Sequence, residues 1–228
     1  MAQTKILIVD DEVDILDLLE YNLEKEGYRV VKAMDGEEAI ELASKEKPDL
    51  ILLDIMMPKI DGIETCRRIR ELPNMQEVYV VFLTARSEEY SELAGFDAGA
   101  DDYISKPIKP RLLVSRIRAI LRRDQNIRSQ KSVLKIHDLE ILQDEYIVKK
   151  GDQSMALPRK EFELLYFMAS KPGKVFRREK LLEKVWGDVY VVDRTIDVHV
   201  RKLREKIGEK YIQTVKGKES AIGRMLCL

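Results

Sequence analysis

Residues 50–62 read LILLDIMMPKIDG: a run of four apolar residues ends in one carboxylate, Asp54, and two methionines and a proline follow. A strand buried on both faces reads as a near-continuous apolar run, and such a strand does not normally end in a lone charge. Working outward, KILIV (5–9), RVVKA (29–33), VYVVFLT (78–84) and DYIS (102–105) read as further strands. Amphipathic helical stretches separate or follow them, near 13–26, 36–46, 62–71, 88–98 and 109–123. In the last, Leu112, Leu113, Ile117, Ile120 and Leu121 recur at helical spacing while the arginines take the other face. Five βα units with apolar central strands predict an α/β fold, a doubly wound parallel sheet covered on both faces.

Doubly wound sheets place ligands outside the carboxyl ends of their strands, where the strand order reverses. At those ends stand Asp10-Asp11-Glu12 after the first strand, Asp54 closing the third, Thr84 closing the fourth and Lys106-Pro107 after the fifth. Carboxylates brought together repel unless a cation or proton intervenes. Mg²⁺, which takes one or two carboxylates plus water and phosphate oxygens, suits the set. Asp54 would then be a nucleophile forming an aspartyl phosphate, with Thr84 and Lys106 holding the phosphoryl oxygens. Singly, each residue has a plainer reading: Asp11 as a helix cap, Thr84 as an ordinary strand residue, Lys106-Pro107 as a turn. Their joint occurrence at four strand ends is what carries the prediction.

VDDE (9–12), LLDIMMPKIDG (52–62), LTAR (83–86) and GADDYISKP (99–107) resemble the receiver domain of two-component response regulators, over residues 4–123. The resemblance implies a flavodoxin-like five-stranded sheet with Asp54 as the phosphoacceptor. It implies Mg²⁺ (or Mn²⁺) on Asp11, Asp54 and the backbone carbonyl of Met56, with Asp10 assisting through water. Thr84 and Lys106 would contact the phosphoryl group, and Tyr103 would be the aromatic switch that turns inward with Thr84, a core-only role being its alternative. Pro58 and Gly62 would shape the loop after Asp54.

Composition is that of a soluble globular protein, 45% hydrophobic and 36% charged. No apolar run approaches a membrane span, and residues 1–11 lack a signal-peptide pattern. Cys66 and Cys227 are the only cysteines and His137 and His199 the only histidines, too few for a disulfide framework or a zinc site. A reducing cytoplasm is the expected compartment. The net charge of −1 conceals an asymmetry: residues 1–124 carry 18 Lys+Arg against 26 Asp+Glu, and residues 125–228 carry 22 against 15. The basic second half is a candidate for nucleic acid, a solvated charged surface being the alternative.

DQNIRSQKS (124–132) is polar, lacks periodicity and reads as a linker. The receiver is thus expected over 1–123 and a second domain over 133–228. Residues 134–158 look like short strands with turns at Gln143-Asp144 and Gly151-Asp152, and helices follow at 159–170, 177–186 and 193–207. YIQTVKG (211–217) looks like a strand entering a tight turn, so the whole suggests a winged helix-turn-helix. On the third helix Ile196, Val200, Leu203 and Ile207 form one apolar stripe. Arg194, Thr195, Val198, Arg201 and Lys202 lie opposite with Glu205, as a helix in the major groove requires. His199, near the edge of the stripe, reads equally as a packing residue or a phosphate contact.

MALPRKEFELL (155–165), PGKVFRREKLLEKVWG (172–187) and DRTIDVHVRKLREKIG (193–208) resemble the effector domain of OmpR/PhoB-type transcription regulators. The resemblance makes 193–207 the recognition helix on double-stranded promoter DNA. Arg201 and Lys202 become candidates for base edges and Val198 for a thymine methyl, while Arg194, Thr195 and Arg204 would grip phosphates. Residues 187–193 occupy the loop that in this family can touch RNA polymerase. A sensor histidine kinase upstream and a homodimer are implied as well.

Two departures from the family stand out. Its activated dimer is tied by charged pairs, for which Asp102 with Arg116 and Asp97 with Arg118 are available. Glu92 and Leu112, however, replace a usual basic residue and its acidic partner, and Ile108 replaces a usual phenylalanine. The tail KESAIGRMLCL (218–228) lacks the expected glycine turn, tyrosine and basic residue. Codons AAG GAG TCG GCT ATA GGT AGA for residues 218–224 read Gly-Val-Gly-Tyr-Arg-stop when shifted by two bases, which is the expected ending. We therefore expect the tail from about residue 218 to come from a small frame change, which the coding DNA decides. Alternatively the tail pairs as a strand through Ala221 and Ile222, leaving Arg224 for the minor groove.

Three function classes follow. A transcription factor switched by phosphorylation accounts for all the motifs. A DNA-binding regulator using its receiver only for dimerisation would leave the Asp11, Asp54, Thr84 and Lys106 set without a purpose. A phosphatase with an aspartyl intermediate would need an acid two residues after Asp54, where Met56 stands. No enzymatic turnover is expected beyond the chain's own phosphoryl transfer and autodephosphorylation.

Overall fold

The computed structural model describes residues 3–85, 95–128, 133–187, 194–215 and 221–225. The chain forms two compact units, Met1–Asp124 and Gln125–Leu228. In the first, β1 (Lys5–Val9), β2 (Arg29–Ala33), β3 (Leu50–Asp54), β4 (Tyr79–Ala85) and β5 (Asp102–Lys106) build one sheet in the order β2-β1-β3-β4-β5. Every pairing is parallel. The helices are α1 (Val13–Lys25), α2 (Gly36–Glu46), α3 (Gly62–Glu71), α4, of which 95–98 are described, and α5 (Pro110–Arg128). The part of α4 expected over 88–94 lies outside the described residues.

Strand alternation explains the two covered faces. Ile6, Ile8, Leu50, Leu52, Val81 and Leu83 form one core with Leu16, Leu19 and Leu23 of α1 and Leu113 and Ile117 of α5. Their neighbours Leu7, Val9, Ile51, Leu53, Val80 and Phe82, which point the other way, are also buried. Helix starts follow local chemistry. Asp35 accepts from the Glu38 amide at 2.9 Å, and Asp61 from the Glu64 amide at 2.8 Å, so two aspartates cap α2 and α3. Helix α1 is different: its N-cap is Glu12 and no side chain caps it, so Asp11 is not a cap.

Helix α5 runs to Arg128, five residues past its expected end. The stretch 124–128 loses apolar periodicity but contains no proline or glycine, and nothing in it stops a helix already under way. Residues 129–132 of the expected linker lie outside the described residues.

In the second unit β6 (Val133–Ile136), β7 (Leu139–Leu142), β8 (Ile147–Lys150) and β9 (Gln153–Ala156) form an antiparallel meander. Then come α6 (Arg159–Ala169), β10 (Val175–Arg177), α7 (Arg178–Val185), α8 (Arg194–Ile207), a 3₁₀ turn (Glu209–Tyr211), β11 (Ile212–Gln213) and β12 (Ala221–Met225). Strands β10, β12 and β11 make a small sheet with β12 in the middle. The unusual tail therefore does pair as a strand: Met225 lies opposite Ile212, and Ile222 opposite Phe176. No helix among the described residues is long and apolar enough to cross a membrane.

One buried ion pair fastens α3 to β4 and the start of β5. Arg70 reaches Asp101 at 2.8 Å and also donates to the carbonyls of Met75, Val78 and Gly99. Asp101, fully buried, also accepts from the Val80 amide. Breaking such a pair leaves an uncompensated charge, so Arg70→Ala should cost roughly 3–5 kcal/mol of first-unit stability. Urea unfolding followed by circular dichroism checks this, and a loss under 1 kcal/mol would contradict it.

Candidate functional site

The parallel register delivers the strand ends to one edge of the sheet. Asp54 is the last residue of β3 and Lys106 the last of β5, while Thr84 pairs with Ser105 at the end of β4. Asp10 and Asp11 follow β1 directly. Carboxylate oxygens of Asp10, Asp11 and Asp54 lie within 4.8 Å of one another. Lys106 Nζ stands 2.9 Å from Asp10 Oδ2 and 3.2 Å from Asp54 Oδ2. Asp10 and Asp54 are buried and Asp11 is exposed, so the crevice opens to solvent on the Asp11 side.

Burial raises the carboxyl pKa of Asp54; Lys106 opposes that rise and the Asp10 charge adds to it. Burial alone would lower Lys106, but its hydrogen bond to Asp10 and the Asp54 charge outweigh this and raise it. The site thus holds an ammonium clamped between two carboxylates, one of them uncomfortable as an anion. Hard oxygen donors on a half-open rim fit a small divalent cation such as Mg²⁺. Thr84 is buried at the same edge. Met56 lies just past β3 with its side chain exposed.

The loop after Asp54 is shaped by Gly62, whose amide donates to the Ile55 carbonyl at 2.9 Å. A Cβ there would stand 2.1 Å from the Asp54 carbonyl oxygen. Tyr103 is buried, its ring 5.4 Å from Phe82 and 4.6 Å from Phe96 between centroids.

Helix α8 presents a second candidate surface. Ile196, Val200, Leu203 and Ile207 are buried as expected, Arg201 is exposed, and Val198 and Lys202 are half-buried. The DNA-contact expectations for Thr195 and Arg204 need correction, and for His199 the packing alternative is the one observed. Thr195 and His199 are buried: His199 Nδ1 pairs with the Thr195 carbonyl at 2.9 Å, and its ring packs edge-on against Trp186. Both border the apolar stripe and turn with it into the core. Arg204 donates to the Ile212 carbonyl at 3.0 Å and to Thr214 Oγ1 at 2.6 Å, so it ties α8 to the start of the wing. The side chain of Arg194 and residues 188–193 of the expected polymerase-contacting loop lie outside the described residues.

Residues 6–118 match the response regulator receiver domain family, and residues 152–218 match the C-terminal domain of transcriptional regulatory proteins. The alkaline phosphatase synthesis transcriptional regulatory protein PhoP of Bacillus subtilis (strain 168) is 44% identical, the alignment covering 93% of this chain and 94% of that protein. The chain belongs to the OmpR/PhoB-type response regulators. A RitR mutant shares its structure at TM-score 0.78 with 29% identity, covering 99% of this chain and 100% of that one. The Thermotoga maritima response regulator DrrB, an OmpR/PhoB homologue, matches at TM-score 0.51 with 35% identity over the whole of both chains.

As a response regulator of this type, the chain is a DNA-binding transcription factor with a receiver, and not an enzyme in the usual sense. The second match ends at Lys218, where the tail departs from the expected ending. The charged residues expected across a dimer are engaged within the chain. Asp102, buried, holds Arg116 through two 2.9 Å bonds, Arg118 pairs with Glu26, and Asp97 is exposed. Sequence reasoning missed the link between Arg178 at the start of α7 and Asp197 on α8, at 3.0 Å. No local pattern announces a pair 19 residues apart.

Burial lowers the imidazole pKa of His199 from 6.5 to about 4. The unfolded chain therefore takes up this proton more readily than the folded one. The resulting stability is complete above 6.5 and is lost as pH falls toward about 4. Over that interval the wild type should lose about 3 kcal/mol more than His199→Gln. Urea unfolding read by Trp186, the lone tryptophan, checks this, and equal pH slopes would refute it.

Proposed function

We propose that Asp54 accepts a phosphoryl group from the phosphohistidine of a sensor kinase, and that this drives pairing of two copies on promoter DNA. The observation that carries the reading is Asp54 buried at the end of β3, 3.2 Å from Lys106, with Asp10 and Asp11 oxygens alongside. Asp11, Asp54 and the Met56 carbonyl would hold Mg²⁺ (or Mn²⁺), with Asp10 assisting through water. When bound, the cation neutralises charge on the phosphoryl oxygens.

In the transfer, an Asp54 carboxylate oxygen forms a bond to phosphorus as the phosphorus–nitrogen bond to the kinase imidazole breaks, the electron pair leaving with the nitrogen. Lys106 already faces Asp54 and shifts from its carboxylate to the phosphoryl oxygens. The Thr84 hydroxyl donates to one of those oxygens as the charge arrives. Its movement favours the inward position of Tyr103, and the population shifts to a receiver surface that self-associates. Asp97, Asp102, Arg116 and Arg118 line that surface, Asp102 and Arg116 by holding its shape. Water later returns Asp54 to the carboxylate. The receiver spans 1–123 and the effector domain 133–228 in this reading, and the chain works in the cytoplasm.

Two effector domains would then occupy half-sites about one helical turn apart. Arg201 and Lys202 reach base edges, Val198 touches a thymine methyl, and Arg194 holds a phosphate. The tail supports this reading by supplying β12, the strand between β10 and β11. Residues 187–193 would meet RNA polymerase. Whether residues from 218 arise by a frame change is settled by reading the coding DNA.

The test is gel filtration and gel retardation of DNA selected from random sequence, with Mg²⁺ and acetyl phosphate. Wild type should gain phosphate at Asp54, a dimer mass and DNA affinity, and Asp54→Ala should gain none of these. Phosphate uptake with no change in mass or affinity would sink the switched reading and leave a receiver used only for dimerisation. On the selected DNA, Arg201→Ala should weaken binding by about 1–3 kcal/mol and relax the preference at one base position. A uniform loss across all sequences would instead make Arg201 a phosphate contact.

A further inference from the structure

Gly95 opens the described part of α4, and it is not among the residues with positive φ, so its backbone does not require glycine. What it lacks is volume. A Cβ on Gly95 would stand 1.9 Å from the Tyr103 hydroxyl oxygen and 2.7 Å from the nearest ring carbon of Phe82. The helix cannot retreat to make room. The Gly95 carbonyl accepts from the Ala100 amide at 3.1 Å, and that of Phe96 from the Gly99 amide at 3.1 Å, a closed terminus with Gly99 at φ +101°. One residue on, Asp101 exchanges two 2.8 Å hydrogen bonds with the Val80 backbone and pairs with Arg70. The backbone through 95–101 is thereby bolted to β4, and Tyr103 follows two residues later. Of the groups in conflict, the Tyr103 hydroxyl is at the far end of a side chain and is the one that can swing away.

We propose that Gly95 is a positioning residue for Tyr103: its missing side chain is the slot that admits the tyrosine inward between Phe82 and Phe96. Resting on the reading of Tyr103 as the switch, this makes Gly95 the residue that permits the signalling position. A methyl group at 95 closes the slot without touching Asp10, Asp54, Thr84 or Lys106.

The full-length chain tests this by nitration with tetranitromethane, mapped by mass spectrometry, with and without Mg²⁺ and acetyl phosphate. In the wild type Tyr103 should be protected like buried Tyr79, and Tyr21, 66% exposed, should react. In Gly95→Ala, Tyr103 reactivity should rise toward that of Tyr21. Phosphate uptake at Asp54 should remain at the wild-type extent, and the phosphate-driven gains in mass and DNA affinity should be lost. Gly95→Ala with Phe82→Leu relieves the ring contact and leaves only the conflict with Tyr103, so it should give the same pattern. Tyr103 still protected in either folded variant would overturn the proposal. Tyr103 exposed with the DNA gain intact would support the slot and overturn the switch reading.

Discussion

The contact on which the receiver depends is Lys106 lodged between Asp10 and Asp54. A parallel sheet brings every strand end to one edge, and here two of those ends, β1 and β3, carry three carboxylates between them. Asp10 is fully shielded from solvent, and Lys106 is its counterion at contact distance. Lys106 supplies one positive charge to two buried negatives, and it does not fully offset burial, which with the Asp10 charge raises the pKa of Asp54. A small cation relieves that shortfall of positive charge without rearranging the fold. The same shortage makes the site responsive, because any added negative charge must draw Lys106 from its present partners.

The effector unit handles its charges differently. Its positive balance suggests a surface made for DNA, yet many of its cations are occupied inside. Lys160, buried, donates to the Val185 carbonyl at the end of α7 and pairs with Glu163. Lys150 donates to the Ile207 carbonyl at the end of α8, and Lys206 pairs with buried Glu161. Arg159 lies over the Tyr146 ring. Lys160 fixes α7 against α6, Lys206 fixes α8 against α6 and Lys150 fixes α8 against the meander, with Lys160 and Lys150 also meeting the negative ends of the helix dipoles.

Most of the receiver fold was legible because its signals are local and periodic. Residues 50–54 are apolar throughout and buried throughout, and the strand-end rule turned Asp54, Asp10 and Lys106 from isolated charges into one site. The failures share a cause. Thr195 falls on a helix face that periodicity alone assigns to solvent, and the resemblance gives Arg204 a phosphate, but Thr195 is buried and Arg204 is held by β11, which lies elsewhere in the sequence. Within the chain Arg118 pairs with Glu26, 92 residues away, a contact that no local pattern announces. The end of α5 was placed where hydrophobic spacing stops, although helix persistence needs only the absence of a breaker.

The tail shows what a strand does and does not ask of its sequence. Residues 221–225 lack the aromatic expected there, yet they occupy the central place of the wing sheet, because ladder hydrogen bonds use backbone groups common to all residues but proline. A bulge between Val175 and Phe176 takes up the mismatch on the β10 side. Architecture at this edge is thus insensitive to a change of reading frame that happens to yield Ala-Ile-Gly-Arg-Met. Recognition would not be, since a wing contacts DNA through side chains, and a frame change would replace them. A tail altered in this way would preserve the fold and the anchoring of Arg204 while changing the minor-groove contact, so phosphorylation and dimerisation could survive intact in a regulator whose choice of DNA had shifted.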